Sequence, residues 1–318
     1  MKILITGITG FVGSHLAEYC LAQPNVKLYG TFLVAKEIKN LEHLKGKITL
    51  LKCDLTKKEQ VNKVLLRLKP NKIFHLAGQS HVSFSWNAPE KTLINNITSD
   101  LNLFEAVKNA NINPVIVVAG SSEEYGAVLK NELPIKEGNE LRPLSPYAVS
   151  KITQEKLAFQ YYQSYGLKSV LMRFFNTEGP RRGENFVTST FAKQIAQIEK
   201  GRKKPLIFVG NLDAKRDFTD VRDVVRAYWL ASQRCEFGEP YNVCSGKDRS
   251  IKSVLNLLLS LSKVKNIEVR QDPKRMRPSD TPIILGDNSK FREQTGWKPE
   301  IPFEKTMEDL LNYWREIL

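Results

Sequence analysis

Tyr147 and Lys151 stand four residues apart in the run Ser145-Pro146-Tyr147-Ala148-Val149-Ser150-Lys151. Serine is a favoured helix cap and proline suits the first helical position, so the run reads as the start of a helix. A spacing of four then places phenol and ammonium on one face. A phenol ordinarily titrates near pH ~10, too high for easy proton exchange at neutral pH, and a neighbouring ammonium favours the phenolate. The pair therefore predicts general acid–base chemistry on a carbonyl or an alcohol. Tyrosine and lysine at this spacing also occur as an ordinary solvated pair. What marks these two is their place downstream of the serine-rich run Gly120-Ser121-Ser122.

The elements that must position such a pair begin at the N-terminus. Residues 2–6 form a β-branched and leucine-rich run that enters Gly7-Ile8-Thr9-Gly10-Phe11-Val12-Gly13, and residues 14–22 follow with a helical pattern. Strand, glycine turn and helix in that order suit a dinucleotide. Glycine lets the backbone turn tightly and approach closely, and the helix start offers free N–H groups to a pyrophosphate. The G-x-x-G-x-x-G spacing is one residue longer than the common fingerprint but lies in the required strand-to-helix context. Further strands are predicted over 27–32, 48–52, 72–76 and 115–119, with helical patterns at 58–68 and 99–110 between them. Such alternation predicts an α/β protein with a Rossmann-type doubly wound parallel sheet.

Ligands of such sheets lie at the carboxyl ends of the strands, which directs attention to Asp54-Leu55, Leu76-Ala77-Gly78 and Gly120-Ser121-Ser122. Asp54 either accepts from an adenine amino group or caps the following helix; both readings stand. After the second strand the chain reads Thr31-Phe32-Leu33-Val34-Ala35-Lys36, with neither the acidic residue that favours NAD nor the arginine that favours NADP, so both cofactors remain open. The length of 318 residues suits a dinucleotide-binding domain over 1–175 and a smaller α/β substrate lobe over 176–318, with some of its segments returning to the first domain.

The formal charge is +14, from 48 basic and 34 acidic residues. The basic residues are spread along the chain in short clusters such as Arg181-Arg182, without interleaved aromatics or a recognisable module, which argues against nucleic-acid readout and for an anionic small substrate or a solvated surface. Cys20, Cys53, Cys235 and Cys244 show no metal-ligand or disulfide spacing and are expected to be reduced, buried thiols, so no metal site is expected. No apolar run approaches the roughly 20 residues of a membrane span, and the first strand begins almost at Met1; a cytoplasmic protein without membrane contact is expected.

Taken together, the glycine turn and the Tyr-Lys pair resemble the extended short-chain dehydrogenase/reductase family over nearly the whole chain. The resemblance implies that Ser121 steadies a carbonyl oxygen, that Tyr147 and Lys151 are catalytic, and that Lys151 also holds the nicotinamide ribose. Ser121 and Ser122 lie in Gly120-Ser121-Ser122-Glu123-Glu124-Tyr125-Gly126, similar to the family's S/T-x-E-x-Y-G segment. Cofactor contacts are implied for Gly7, Thr9, Gly10, Phe11, Val12 and Gly13, for Asp54 and Leu55, for Leu76, Ala77 and Gly78, and for Asn96. In the family's sugar-nucleotide dehydratases the glutamate matching Glu123 removes a proton beside a transient ketone; a carboxylate that only shapes the pocket is the equal alternative.

Arg173-Phe174-Phe175-Asn176-Thr177-Glu178-Gly179-Pro180 resembles the family's R-x-x-N-x-x-G-P passage. Arg181-Arg182-Gly183-Glu184-Asn185-Phe186-Val187-Thr188 and the stretch around Arg216-Asp217-Phe218 are similar to the branch containing GDP-mannose 4,6-dehydratases and GDP-4-keto-6-deoxy-mannose reductases. This implies a GDP-linked sugar as substrate, with Ser122, Asn176, Arg182, Asn185, Phe186, Val187, Arg216 and Arg277 as its contacts. Arginine suits a diphosphate because its rigid fork of donors matches phosphate oxygens. The expected reaction is NAD(P)H-dependent reduction of the C4 ketone of GDP-4-keto-6-deoxy-D-mannose to GDP-D-rhamnose. The alternatives are GDP-mannose 4,6-dehydration and C4 oxidoreduction or epimerisation of another GDP-sugar, such as a heptose. Apolar helical faces at 101–107 and 157–162 suit the four-helix homodimer contact common in the family, or packing on the protein's own sheet.

Overall fold

The computed structural model describes residues 1–275 and 281–318. The first half alternates strictly: β1 (Lys2–Thr6), α1 (Phe11–Leu21), β2 (Lys27–Phe32), a 3-10 segment at Ala35–Leu44, β3 (Ile48–Lys52), α2 (Lys58–Leu68) and β4 (Lys72–His75). Two helices in succession, α3 (Val82–Asn87) and α4 (Pro89–Asn109), lead to β5 (Val115–Ser121), α5 (Pro146–Tyr165) and β6 (Ser169–Phe174). The helix expected over 99–110 begins ten residues earlier, at Pro89, which occupies its first turn with Glu90. The apolar periodicity marked only the part of that helix that packs most deeply.

The second half contributes β7 (Asn176–Glu178), α6 (Val187–Glu199), β8 (Leu206–Val209), β9 (Lys215–Asp220), α7 (Val221–Arg234) and β10 (Pro240–Val243). It continues with β11 (Asp248–Ser250), α8 (Ile251–Ser260), β12 (Glu268–Gln271), β13 (Ile283–Ile284), α9 (Ser289–Thr295) and α10 (Phe303–Ile317).

Seven strands form one sheet in the order β10-β6-β5-β4-β1-β2-β3, every pair parallel. This is the Rossmann-type α/β fold. Both faces are covered, as a parallel sheet requires. On one, Leu16, Ala17 and Cys20 of α1 pack with Val224, Ala227 and Tyr228 of α7; on the other, Leu65 of α2, Leu103 and Phe104 of α4 and Ala158 of α5 bury the opposite side chains. The chain leaves β1 outward to β2 and β3, then crosses back to β4. That reversal places Thr6 directly beside His75 and opens a crevice at the carboxyl edge.

A separate apolar cluster joins α6, α8 and α10 to β8 and β9. Segments α7, β10 and α9 return to the large sheet, so the two layers share their chain. Among the described residues no helix is long and apolar enough to cross a membrane, no group of three or more ligating side chains is placed to hold a metal, and all four cysteines are free and buried.

Asp217 of β9 binds the returning segments together. Its carboxylate accepts from Ser245 N at 2.7 Å, Ser245 Oγ at 2.6 Å, Gly246 N at 2.9 Å and Gly286 N at 3.4 Å. Burial pushes this carboxyl up to about 6 against those donors. Removing the acceptor would orphan three backbone N–H groups and a hydroxyl at once, the Gly286 N–H among them buried. Asp217→Ala is expected to lower unfolding stability by about 2–4 kcal/mol, measured as a fall in the urea midpoint at pH 7.

Candidate active site

The crevice between β1 and β4 is built by close backbone approach. Gly7 has φ of +67°, and a Cβ there would stand 3.0 Å from Ala77 Cα. A Cβ at Gly13 would lie 2.4 Å from Gly7 O, so only glycine lets α1 start against the turn. Gly10 caps α1 with no side chain to bond its first-turn N–H groups. The cradle that a Cβ would fill, together with a helix start lacking a side-chain cap, fits a dinucleotide pyrophosphate. Thr9 is buried in the turn, and its carbonyl accepts from Asn40 Nδ2 at 2.8 Å. Phe11 and Val12 open the helix, half-buried.

At the next strand ends, Leu76 N and Ala77 N both donate to Thr6 Oγ1 at 3.2 Å. Asp54 Oδ1 accepts from Thr56 N at 3.0 Å and Thr56 Oγ1 at 2.7 Å, so this oxygen caps the turn before α2. Leu55 is buried beside it, its carbonyl bound by Asn102.

Ser121 ends β5 and Tyr147 lies in the first turn of α5, both side chains buried at the same strand end. Ser145 caps α5 as expected, its Oγ accepting from Ala148 N at 3.1 Å, with Pro146 in the first turn. Lys151, one turn on, donates to Ala119 O at 2.7 Å and lies 5.8 Å from the centre of the Tyr147 ring. Three residues from two elements thus converge in one enclosed place.

The expectation that Lys151 draws the phenol toward the phenolate does not hold in this structure. Burial pushes Tyr147 up from its ordinary value, and the charge of Glu123, with that of Glu124 when ionised, adds to that, against the neighbouring Ser121 hydroxyl and the charge of Arg182. Lys151 is itself pushed down by burial. Burial therefore favours the protonated phenol of Tyr147.

A polar network that sequence reasoning did not assemble supports the pair. His75 bridges Thr6 Oγ1, at 2.8 Å through Nδ1, and Asp100, through Nε2. Thr6 already accepts two backbone N–H groups, so its hydroxyl hydrogen goes to Nδ1 and Nε2–H to Asp100, a tautomer assigned by the network. Gln154 of α5 also donates to Asp100, at 2.8 Å. Asn96 is fully enclosed: it binds Gln79 N at 2.7 Å, Gln79 O at 3.1 Å and Ser150 Oγ at 2.9 Å. It acts by fixing the Gly78-Gln79 backbone to α5. Nothing in the spacing of His75, Asp100 and Gln154 announces that they meet.

In the loop after β7, the Arg182 guanidinium stacks 3.4 Å from the centre of the Phe186 ring and 5.1 Å from that of Phe11, with Glu178 at 3.8 Å. His81 packs on Phe186 at 4.6 Å. Arg181, at φ +69°, donates to His15 at 2.8 Å and to Glu18, locking this loop to α1. Ser122 is buried and Glu123 partly so; Asn176 is half-buried on β7, opposite Phe218. Val187 starts α6 and Asn185 is exposed. Arg216 donates to Lys215 O and Thr281 O, both at 2.8 Å. Arg277 lies outside the described residues.

A doubly wound parallel sheet carrying the glycine cradle, with Ser121, Tyr147 and Lys151 gathered at its carboxyl edge, defines an extended short-chain dehydrogenase/reductase of the sugar-nucleotide oxidoreductase and dehydratase type. Residues 4–310 match the family described as GDP-mannose 4,6 dehydratase, and the chain belongs to it. It is 33% identical over 313 residues to the GDP-6-deoxy-D-mannose reductase of Pseudomonas aeruginosa, covering 98% of this chain and 97% of that one. It is 32% identical over 353 residues to a GDP-mannose 4,6-dehydratase of Vibrio cholerae, covering 97% and 94%. The solved structure of RMD from Pseudomonas aeruginosa complexed with NADPH superposes with a TM-score of 0.86 at 31% identity, covering 100% of this chain and 99% of that one.

The protonation of Tyr147 is directly measurable. Ultraviolet titration of the ligand-free protein against Tyr147→Phe should show no phenolate from this residue up to pH 10, the ordinary phenol value; a phenolate at neutral pH would mean that Lys151 prevails.

Proposed function

We propose that this protein reduces the C4 ketone of GDP-4-keto-6-deoxy-D-mannose to GDP-D-rhamnose with NADH or NADPH. The observation that carries this reading is the convergence of buried Ser121, Tyr147 and Lys151 at the end of β5, where burial favours a phenol that keeps its proton for an oxygen. Similarity over nearly full length to a GDP-6-deoxy-D-mannose reductase supports it.

The reduced nicotinamide, when bound, supplies the hydride. Gly7, Thr9, Gly10, Phe11, Val12 and Gly13 hold its pyrophosphate by backbone approach, Asp54 and Leu55 border its adenine end, and Leu76, Ala77 and Gly78 line the crevice, braced by Asn96. Lys151 is the cation for the nicotinamide ribose. Ser121 donates a hydrogen bond to the ketone oxygen, Tyr147 delivers the proton, and the nearby positive charge of Arg182 favours that loss. The 176–318 portion supplies most of the GDP-sugar contacts, through Asn176, Arg182, Asn185, Phe186, Val187, Arg216 and Arg277, with Ser122 from the other side.

Dehydration of GDP-mannose is the second reading. It draws on Glu123, whose charge acts on Tyr147, and on the dehydratase relatives. The reductase reading expects loss of reduced cofactor, followed by absorbance, with the keto-sugar and none with GDP-mannose alone. Tyr147→Phe should lower kcat by about 100-fold or more. Conversion of GDP-mannose without net cofactor consumption would establish the dehydratase instead.

A homodimer through α4 and α5 belongs to the same reading. Of the faces expected to make it, Leu103, Phe104, Ala106, Val107 and Tyr161 are buried within the chain itself. Ile94 and Leu101, seven residues apart on α4, and Val149 and Phe159 on α5 remain exposed. Light scattering should give a dimeric mass for the parent and a monomeric one for Leu101→Glu combined with Phe159→Glu; a monomeric parent would discard this contact.

A further inference from the structure

Directly beneath the Ser121 turn lies a group of buried charge that the chemistry above does not use. Glu124 is fully enclosed, and its Oε1 accepts from Ser121 N at 2.7 Å. The seat is shaped for it: a Cβ at Gly120 would stand 2.8 Å from that oxygen. The other oxygen, Oε2, is buried with no donor, and Arg173 Nε is 3.7 Å away. Arg173 is already committed. Its Nε and one terminal nitrogen donate to the two oxygens of Glu155 at 2.7 Å each, and the remaining nitrogen donates to Tyr125 OH at 2.8 Å and Glu137 O at 2.9 Å.

Two enclosed carboxyls therefore face one guanidinium. Two carboxylates in one dry site do not both ionise, and the one less well paired keeps its proton. Burial and the Glu155 charge push Glu124 up, whereas Arg173 holds Glu155 down against its own burial. The Arg173 Nε that donates to Glu155 Oε2 at 2.7 Å lies 3.7 Å from Glu124 Oε2, so the two carboxyls crowd around one donor already taken by Glu155.

We propose that Glu124 is held as a neutral carboxylic acid facing Glu155, and that as a positioning residue it anchors Ser121 while keeping a second negative charge from Tyr147 and Lys151. The inference rests on the reductive reading of the Ser121–Tyr147 pair. The charged or titratable groups around Glu124 are Tyr147, Lys151 and Glu155 on α5, Arg173 on β6, and Glu123 and Tyr125 on its own turn. Ionised Glu124 raises Tyr147 further and so makes it a poorer acid. Reduction should then fade on the alkaline side as Glu124 loses its proton, with Ser121 still in place.

Two measurements on the full chain decide this. Infrared spectra near neutral pH should contain the carbonyl band of a protonated carboxylic acid that is missing in Glu124→Gln and fades in the parent as pH rises. This needs no substrate, so it stands even if the keto-sugar is not reduced. In the pH profile of kcat for reduction, Glu124→Gln, a neutral mimic that still accepts from Ser121 N, should move the alkaline limb to higher pH and retain more neutral-pH activity than Glu124→Ala. The proposal is overturned if the Gln variant loses no carboxylic-acid band, or if its alkaline limb coincides with that of the parent.

Discussion

The parallel pairing of β1 with β4, which sets Thr6 beside His75, is the constraint on which the rest of the site depends. Because the chain reverses its direction of winding at this pair, no crossover covers the carboxyl edge there, and the next residues of each strand emerge side by side. Gly7 can then approach Ala77 to within the space of a missing Cβ, and the hydroxyl of Thr6 can gather the Leu76 and Ala77 amides. One register thus sets the cradle, the crevice wall and the His75–Asp100 contact that reaches α4.

From there, burial governs the chemistry. Tyr147, Lys151, Glu124 and Arg173 all lie within a layer that excludes water, where an unpaired charge is costly. Each ionisable group is therefore matched to a partner or kept neutral. Lys151 is steadied by the Ala119 carbonyl and Arg173 by the Glu155 carboxylate, while burial favours the neutral form of Tyr147 against the pull of the Ser121 hydroxyl. A neutral phenol holds a proton that it can give to an oxygen, so the burial that raises Tyr147 also fixes which side of proton transfer it starts from.

The loop after β7 ties the second half of the chain to this centre. Arg181 docks on His15 and Glu18 of α1, and the same short loop carries Arg182 over Phe11 and Phe186. The helix that starts at the glycine turn therefore also sets where Arg182 can sit. Asp217 performs the corresponding task further along the chain, drawing the segments after β10 and β13 onto β9.

The alternation of strands and helices, the glycine turn, the capped start of α5 and the four-residue spacing of Tyr147 and Lys151 were legible from sequence. Each depends on neighbours a few residues apart: periodicity, capping and turn chemistry are local. The full length of α4 was not legible, because its first turns pack lightly and carry little apolar pattern. Nor were the meeting of His75, Asp100 and Gln154, the enclosure of Asn96, and the excess of carboxyl over guanidinium around Glu124. Those contacts join residues far apart in the chain, and only the stacking of α4 and α5 on β4, β5 and β6 brings them together. The direction of the Tyr147 shift belongs with them. Sequence placed an ammonium one turn away, but whether that charge or desolvation prevails depends on how deeply the phenol is buried, and that is decided by the tertiary structure.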